Sequence, residues 1–310
     1  MKSLWKRSRS AFTLVEIIFV IVVLGIVASL GAEMIANAYK SYLYQHATEK
    51  VLGKTELAAQ QIVNLLAQRV PGTTLARNPN DLNDTLYVRE YTVAGDTNHS
   101  VLEWIGAEEE SFSAKAKPGW SGFADVDSSN ATTVITPGSD LSFAWSVMGN
   151  LYPGMGNPAI FFRNQMYSRN LPYDAKSCMG LVDSNTTCIS SVSDINGTAM
   201  SFVSPADTRP YKRIAEHYKL AASAFALCPK DNGNGTFDLI LYYDYQPWEG
   251  ERLSGTACNY GTIKHATLIT NVTVFKFAEA GNTFRFKLCA QENLGEDCNI
   301  TSCKERAIIR

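Results

Sequence analysis

Apolar positions run almost unbroken through the first part of the chain, and recur or alternate through the rest. Phe12–Ala32 reads FTLVEIIFVIVVLGIVASLGA, 21 residues with a single charge, Glu16. As a helix this segment is about 31 Å long, the thickness of a bilayer core. Polar residues then enter, and apolar ones recur at roughly helical spacing: Ile35, Tyr39, Tyr42 and Leu43, then Ile62, Leu65 and Leu66. Val70-Pro71-Gly72 is a strong stop. One helix is therefore expected from Phe12 to Arg69, weakened at Gly53 by about 1 kcal/mol relative to alanine.

Turn residues (Asn, Asp, Ser, Thr, Gly, Pro) dominate from Thr73 to about residue 210. Short strand-like runs interrupt them at Thr85–Val93, Val101–Ile105, Leu141–Val147, Ile160–Arg163 and Met200–Val203. The last third is cleaner. His217–Leu227, Phe237–Tyr245, Ala266–Ala278 and Thr283–Ala290 are rich in β-branched and aromatic residues. DNGNG (231–235) and EAGN (279–282) separate them in pairs, which predicts hairpins. The pattern predicts an α+β fold: a long N-terminal helix packed on an antiparallel β-sheet head that carries a β-rich insertion. The expected divisions are a basic leader over 1–11, a long helix over 12–70 that is transmembrane over about 12–32, a loop-rich β subdomain over 71–210, and an antiparallel sheet with disulfides over 211–310.

Charge orients this picture. The chain has a formal net charge of −2, which predicts no nucleic-acid partner. Four basic residues, Lys2, Lys6, Arg7 and Arg9, precede the apolar run, and almost no basic residue follows it until Lys40. The positive-inside rule puts the N-terminus in the cytoplasm and the large remainder across the membrane. A secretory signal peptide would have a shorter apolar run ending in a small-x-small site. The seven cysteines all lie between Cys178 and Cys303, with no C-x-x-C spacing, and the four histidines are scattered. Disulfides outside the cytoplasm fit this usage better than zinc. Loop length favours Cys178–Cys188, Cys228–Cys258 and Cys289–Cys303, with Cys298 as the odd thiol.

Glu16 is the oddity. A carboxylate within an apolar membrane helix is costly and marks a functional position, unless the helix inserts more deeply and the side chain reaches the headgroups. SRS-AFTLVE followed by the apolar run resembles the leader and cleavage site of type IV prepilins and type II secretion pseudopilins. The resemblance covers about the first 30 residues. It implies cleavage between Ala11 and Phe12 by a prepilin peptidase, N-methylation of Phe12, and a Glu at the fifth mature position, here Glu16. Gly25 also sits where the family usually has glycine. Ala11 departs from the commoner glycine before the cut, and Glu33 stands where many major pilins have proline. The implied partners are the peptidase, other pilin or pseudopilin subunits, an inner-membrane assembly platform and the lipid bilayer. The implied location is the inner membrane, single-pass with a periplasmic head, and then a filament. The size of the head suggests a minor subunit. The alternatives are a membrane-anchored periplasmic binding protein or adhesin and, least of all, an anchored enzyme.

There is no G-x-S-x-G, Walker or H-E-x-x-H motif, so neither enzyme nor cofactor is expected. Asp231, Asn232, Asn234 and Asp238 lack EF-hand spacing, so a hairpin turn is expected in place of a metal site. Glu108-Glu109-Glu110 reads as a solvated loop, and Trp104, Trp120, Trp145 and Trp248 as core residues. N-x-S/T occurs at Asn83, Asn98, Asn130, Asn185, Asn196, Asn234, Asn271 and Asn299. Five of these asparagines follow an Asp two residues earlier, a pattern that resembles the acceptor of bacterial N-oligosaccharyltransferases. Asn83 and Asn98 are the foremost candidates, with Asn185 and Asn196 behind them.

Overall fold

The computed structural model describes residues 13–90, 98–113, 116–162, 167–168, 171–172, 175–186, 189–203, 214–281, 283–295 and 299–309. Two compact units divide them. One takes the chain up to Lys50 with Glu292–Ile300, and the other takes Val51–Gln291 with the residues from Thr301 onward.

The expected long helix forms as α1, Leu14–Ala67. At about 1.5 Å per residue its 54 residues extend about 81 Å. Thr13 precedes the first turn, and its hydroxyl accepts from the Glu16 N–H at 3.4 Å. The helix runs through Gly25, Gly31 and Gly53 without interruption. At its C-terminal end Leu66 O accepts from both the Arg69 guanidinium (2.7 Å) and the Arg69 backbone N–H (3.3 Å). Gly72, with φ of 80°, then turns the chain back.

The strands follow as β1 (Leu75–Asn78), β2 (Asp81–Tyr87) and β3 (Val101–Ala107), then, after the short α2 (Glu110–Ser113), β4 (Thr133–Ile135). Next come α3 (Leu141–Leu151), β5 (Ala159–Phe162), the two-residue β6 (Tyr167–Ser168) and β7 (Leu171–Pro172), and α4 (Ala175–Cys178). β8 (Ser190–Asp194), β9 (Ala199–Phe202), β10 (Tyr218–Asp231), β11 (Phe237–Tyr245), β12 (His265–Ala280), β13 (Thr283–Asn293) and β14 (Asn299–Ile309) complete the chain. All but β6 and β7 join one sheet, ordered β14-β13-β12-β11-β10-β5-β8-β9-β4, with β3 also on β10 and β1 and β2 beyond it. Strands from the loop-rich stretch and from the last third thus share a sheet. β10–β11 and β12–β13 are the antiparallel neighbours that the turn sequences implied.

Leu141–Val147 is a correction: it is not a strand but the first two turns of α3. Asp140 caps this helix, accepting from the Phe143 N–H at 3.3 Å, and Leu141, Ala144 and Met148 are buried at spacings of three and four. An N-cap aspartate and 3.6-residue burial outweigh the β propensity of single residues.

β10 feeds two cores, because a register shift between Ala221 and Ser223 moves its even-numbered side chains from one core to the other. Ala224, Ala226 and Cys228 join Val70, Leu75, Ile105, Tyr242, Tyr245 and Trp248. Tyr218, Leu220 and Ala222 join Trp120, Leu141, Met148, Ile160 and Met200. The second half of α1 reaches the sheet through polar contacts. Lys54 Nζ donates to Gln291 O (3.0 Å), Glu56 pairs with Lys304 (2.9 Å) and Arg306 (2.5 Å), and Arg69 pairs with Glu279 (3.5 Å). A charged pair lies inside the head. Arg77 and Glu103, 1% and 0% exposed at their side chains, form an ion pair. Arg77 also donates to Leu82 O, and Tyr245 Oη donates to Glu103 Oε1 (2.7 Å). Burial, with Glu103 beside it, pushes the Tyr245 hydroxyl well above its usual range.

Candidate functional site: the exposed apolar helix

From Leu14 to Leu30 every residue of α1 is exposed, whatever face it lies on. Leu14, Ile18, Phe19, Ile21, Leu24 and Val27 are all more than half exposed. A helix that is apolar all round belongs in lipid or among other helices, because water at that surface costs about 25 cal/mol for each Å². This is the one helix among the described residues long and apolar enough to cross a membrane. Glu16 is the only charge between Leu14 and Ala32 and stands in the first turn. Thr13 and Glu16 occupy the spacing of a capping pair, and a carboxylate there also complements the helix dipole. The first turn is thus both a sound helix start and the site of this segment's single carboxylate. Ala11 and Phe12, the expected cleavage and methylation positions, lie outside the described residues.

The other candidate positions sit in the head. Cys228 and Cys258 are bonded, with Cα atoms 5.7 Å apart, and tie β10 to the loop after β11. Tyr242 Oη donates to Cys258 O at 2.6 Å beside this bridge. Cys289 and Cys303 are bonded between β13 and β14, with Cα atoms 4.0 Å apart. Cys178 is disulfide-bonded; its expected partner Cys188, and Cys298, lie outside the described residues. Asn83, Asn98, Asn185 and Asn196 are exposed.

Among the described residues no three His, Cys, Asp or Glu side chains are grouped to hold a metal ion. The acidic hairpin turn uses its oxygens internally: Asp231 accepts from the Gly233 N–H (2.9 Å), and Asp238 Oδ1 from Asn232 Nδ2 (2.9 Å) and the Asn271 N–H (3.1 Å). Glu108 is a correction to the solvated reading of its run. It is buried and accepts from the Ser111 N–H (2.8 Å), the Ser111 hydroxyl and Trp120 Nε1 (2.9 Å). Burial raises its carboxyl above the usual range. Trp104, Trp120 and Trp248 are buried.

Sequence reasoning did not find a cleft of about 360 Å³ lined by Trp145, Met148, Tyr152, Met155, Pro158 and Gln246. The amide of Gln246 is already engaged, with Gly156 N–H donating to it (2.7 Å) and its nitrogen donating to Ala222 O (3.0 Å). These residues come from α3, its following loop and the end of β11, so no local motif announced them.

Residues 6–32 match the prokaryotic N-terminal methylation motif. Over those residues the chain carries the type IV prepilin and pseudopilin signature, and the motif overlaps the start of a helix long and apolar enough to cross a membrane. No curated protein and no solved structure matches it.

Proposed function

We propose that this protein is a structural subunit of a type IV pilus or type II secretion pseudopilus, added in low copy as a large minor subunit. The observation that carries the reading is the methylation motif running without a break into an unburied apolar helix whose first turn holds one carboxylate. The basic leader stays in the cytoplasm and the head lies on the far side of the membrane. A prepilin peptidase cuts between Ala11 and Phe12, and the new amine of Phe12 is methylated. While the subunit waits in the membrane, lipid covers Leu14–Leu30. The assembly platform then moves it into a bundle with other subunits, where helix replaces lipid around the same side chains.

Glu16 gives this step its register. The positive amine of one subunit and Glu16 of its neighbour neutralise each other in the bundle, and an axial slip leaves both charges unpaired at several kcal/mol. The role is structural rather than catalytic. The head argues for low copy, because over 200 residues beyond α1 would crowd a helical lattice.

N-terminal sequencing of the mature protein tests the reading: N-methylated Phe12 is expected. A mature chain that still begins at residue 1, or that begins after residue 32, overturns it.

A further inference from the structure

Five N-x-S/T sequences carry Asp two residues before the Asn: Asp81/Asn83, Asp96/Asn98, Asp183/Asn185, Asp194/Asn196 and Asp297/Asn299. All five asparagines are exposed. Of the three asparagines whose sequons lack the Asp, Asn130 and Asn234 are exposed too, and Asn271 is half-buried within β12 at φ of 56°.

Two of the five, Asn83 and Asn98, share one neighbourhood. Asp84, beside Asn83, pairs with His99, beside Asn98, at 2.9 Å. The charge of Lys176 in α4 also acts on Asp84, and the Lys176 ammonium stands 5.8 Å from the ring centre of Tyr87 in β2. The loop that leaves α4 returns through a Gly180 N–H to Asn185 O bond of 2.9 Å. Asn196 stands apart, at the β8–β9 turn, where Asp194 accepts from the Ser142 hydroxyl at 3.0 Å.

We propose that Asn83, Asn98 and Asn185 are acceptors of an N-linked oligosaccharide on the exposed surface of the head, with Asn196 as a fourth site. The donor class is a polyprenyl pyrophosphate-linked oligosaccharide. The Asn amide nitrogen bonds to the anomeric carbon, the carbon–oxygen bond to pyrophosphate breaks with its electron pair, and the nitrogen loses one proton. Nothing is oxidised or reduced. The aspartate two residues earlier supplies a carboxylate at a fixed offset. In the folded head that carboxylate accepts from the backbone N–H of the Asn itself, at 3.1 Å for Asp81 and 2.8 Å for Asp183. The Thr85 hydroxyl is buried and donates to Leu82 O (3.0 Å), so transfer to Asn83 precedes the closing of β2.

The competing account is that Asp and Asn recur together only because both suit turns. The proposal also rests on a head outside the cytoplasm, as in the function proposed above. Intact-mass and glycopeptide spectrometry of the protein from the cells that make it decides. A mass above that of the processed polypeptide by whole multiples of one increment is expected. One increment should disappear in each of Asn83→Gln, Asn98→Gln and Asn185→Gln. It should also disappear at Asn83 in Asp81→Ala and return in Asp81→Glu, which reports on sites still able to fold. A mass equal to the bare polypeptide, mass on other residues, or an increment that persists in Asp81→Ala overturns the proposal. The N-terminus of the same sample separates the two readings. Methylated Phe12 without added mass rejects the glycan alone, and glycan on an uncut chain rejects filament processing alone.

Discussion

Between Leu14 and Leu30, α1 presents apolar side chains around its whole circumference, all of them exposed. Between Val51 and Leu66 the same helix buries Val51, Thr55, Ala58, Ala59, Ile62 and Leu66, a single stripe at spacings of three and four, and leaves Leu52 and Leu57 exposed. Backbone geometry is the same in both stretches; the difference lies in what covers the side chains. A one-sided stripe has its partner within the chain, here the head. An all-round apolar surface has no such cover among the described residues, and it suits lipid or other apolar helices. The helix thus has two separable jobs, and substitutions in each half should report on different measurements.

The largest effect is expected at Glu16. Glu16→Val makes the first half more apolar, so the protein should stay in the membrane fraction. Filament incorporation should fall more than a hundredfold, since an unpaired buried charge costs about 3–5 kcal/mol. Immunoblotting of sheared filaments against membranes reads both quantities. Wild-type incorporation would mean that the carboxylate only serves the helix start.

Within the head, Arg77→Leu leaves Glu103 buried without its cation and should lower the unfolding free energy by about 3–5 kcal/mol. Urea denaturation of the detergent-purified chain measures it. A loss under 1 kcal/mol would show that water or a neighbour takes the place of the guanidinium.

Ile62→Ala against Ile21→Ala tests the two halves directly. Ile62 is fully buried, so its truncation should cost about 2–5 kcal/mol in the same assay. Ile21, more than half exposed, should leave head unfolding unchanged. Equal effects would refute the division of the helix. Replacing Cys289 and Cys303 together by serine should cost about 2–4 kcal/mol, the usual range for a bridge closing a short loop, here 14 residues in sequence. Differential scanning calorimetry under oxidising conditions checks it.

The smallest effect belongs to Glu56. Hydrogen bonds from Lys304 and Arg306 hold its carboxyl below the usual carboxylate range. A depressed folded value stabilises at neutral pH, and that stabilisation disappears as pH falls through the carboxylate range. Glu56→Gln should therefore flatten this part of the pH–stability profile slightly, and high salt should have the same effect on the wild type. A profile unchanged by the substitution would show that the Glu56 pairs add nothing to the tie between helix and sheet.

Much of this molecule is local and could be read from the chain alone. The apolar run from Phe12 to Ala32, the single carboxylate at Glu16, the basic leader and the Val70-Pro71-Gly72 stop each depend on a few adjacent residues, and together they define the anchor and its likeness to prepilins. The β10–β11 and β12–β13 hairpins were legible for the same reason, since DNGNG and EAGN are turn sequences between β-rich runs. Other features depended on residues far apart in sequence. β10 also lies beside β5 and, across more than a hundred residues, beside β3, and periodicity does not encode either pairing. Leu141–Val147 looked like a strand until the Asp140 cap and a core partner for one helical face settled it as α3. Arg77, Glu103 and Tyr245 are unremarkable as letters and become a buried charge network only when β1, β3 and β11 meet. Glu108 changed from a solvated acid to a buried one because the indole of Trp120 and the Ser111 hydroxyl close over it. The chain by itself determined where the span-length apolar helix lies, because that depends on the composition of one contiguous segment. Tertiary structure alone decided the interior of the head, because burial and charge pairing depend on which distant residues the fold brings together.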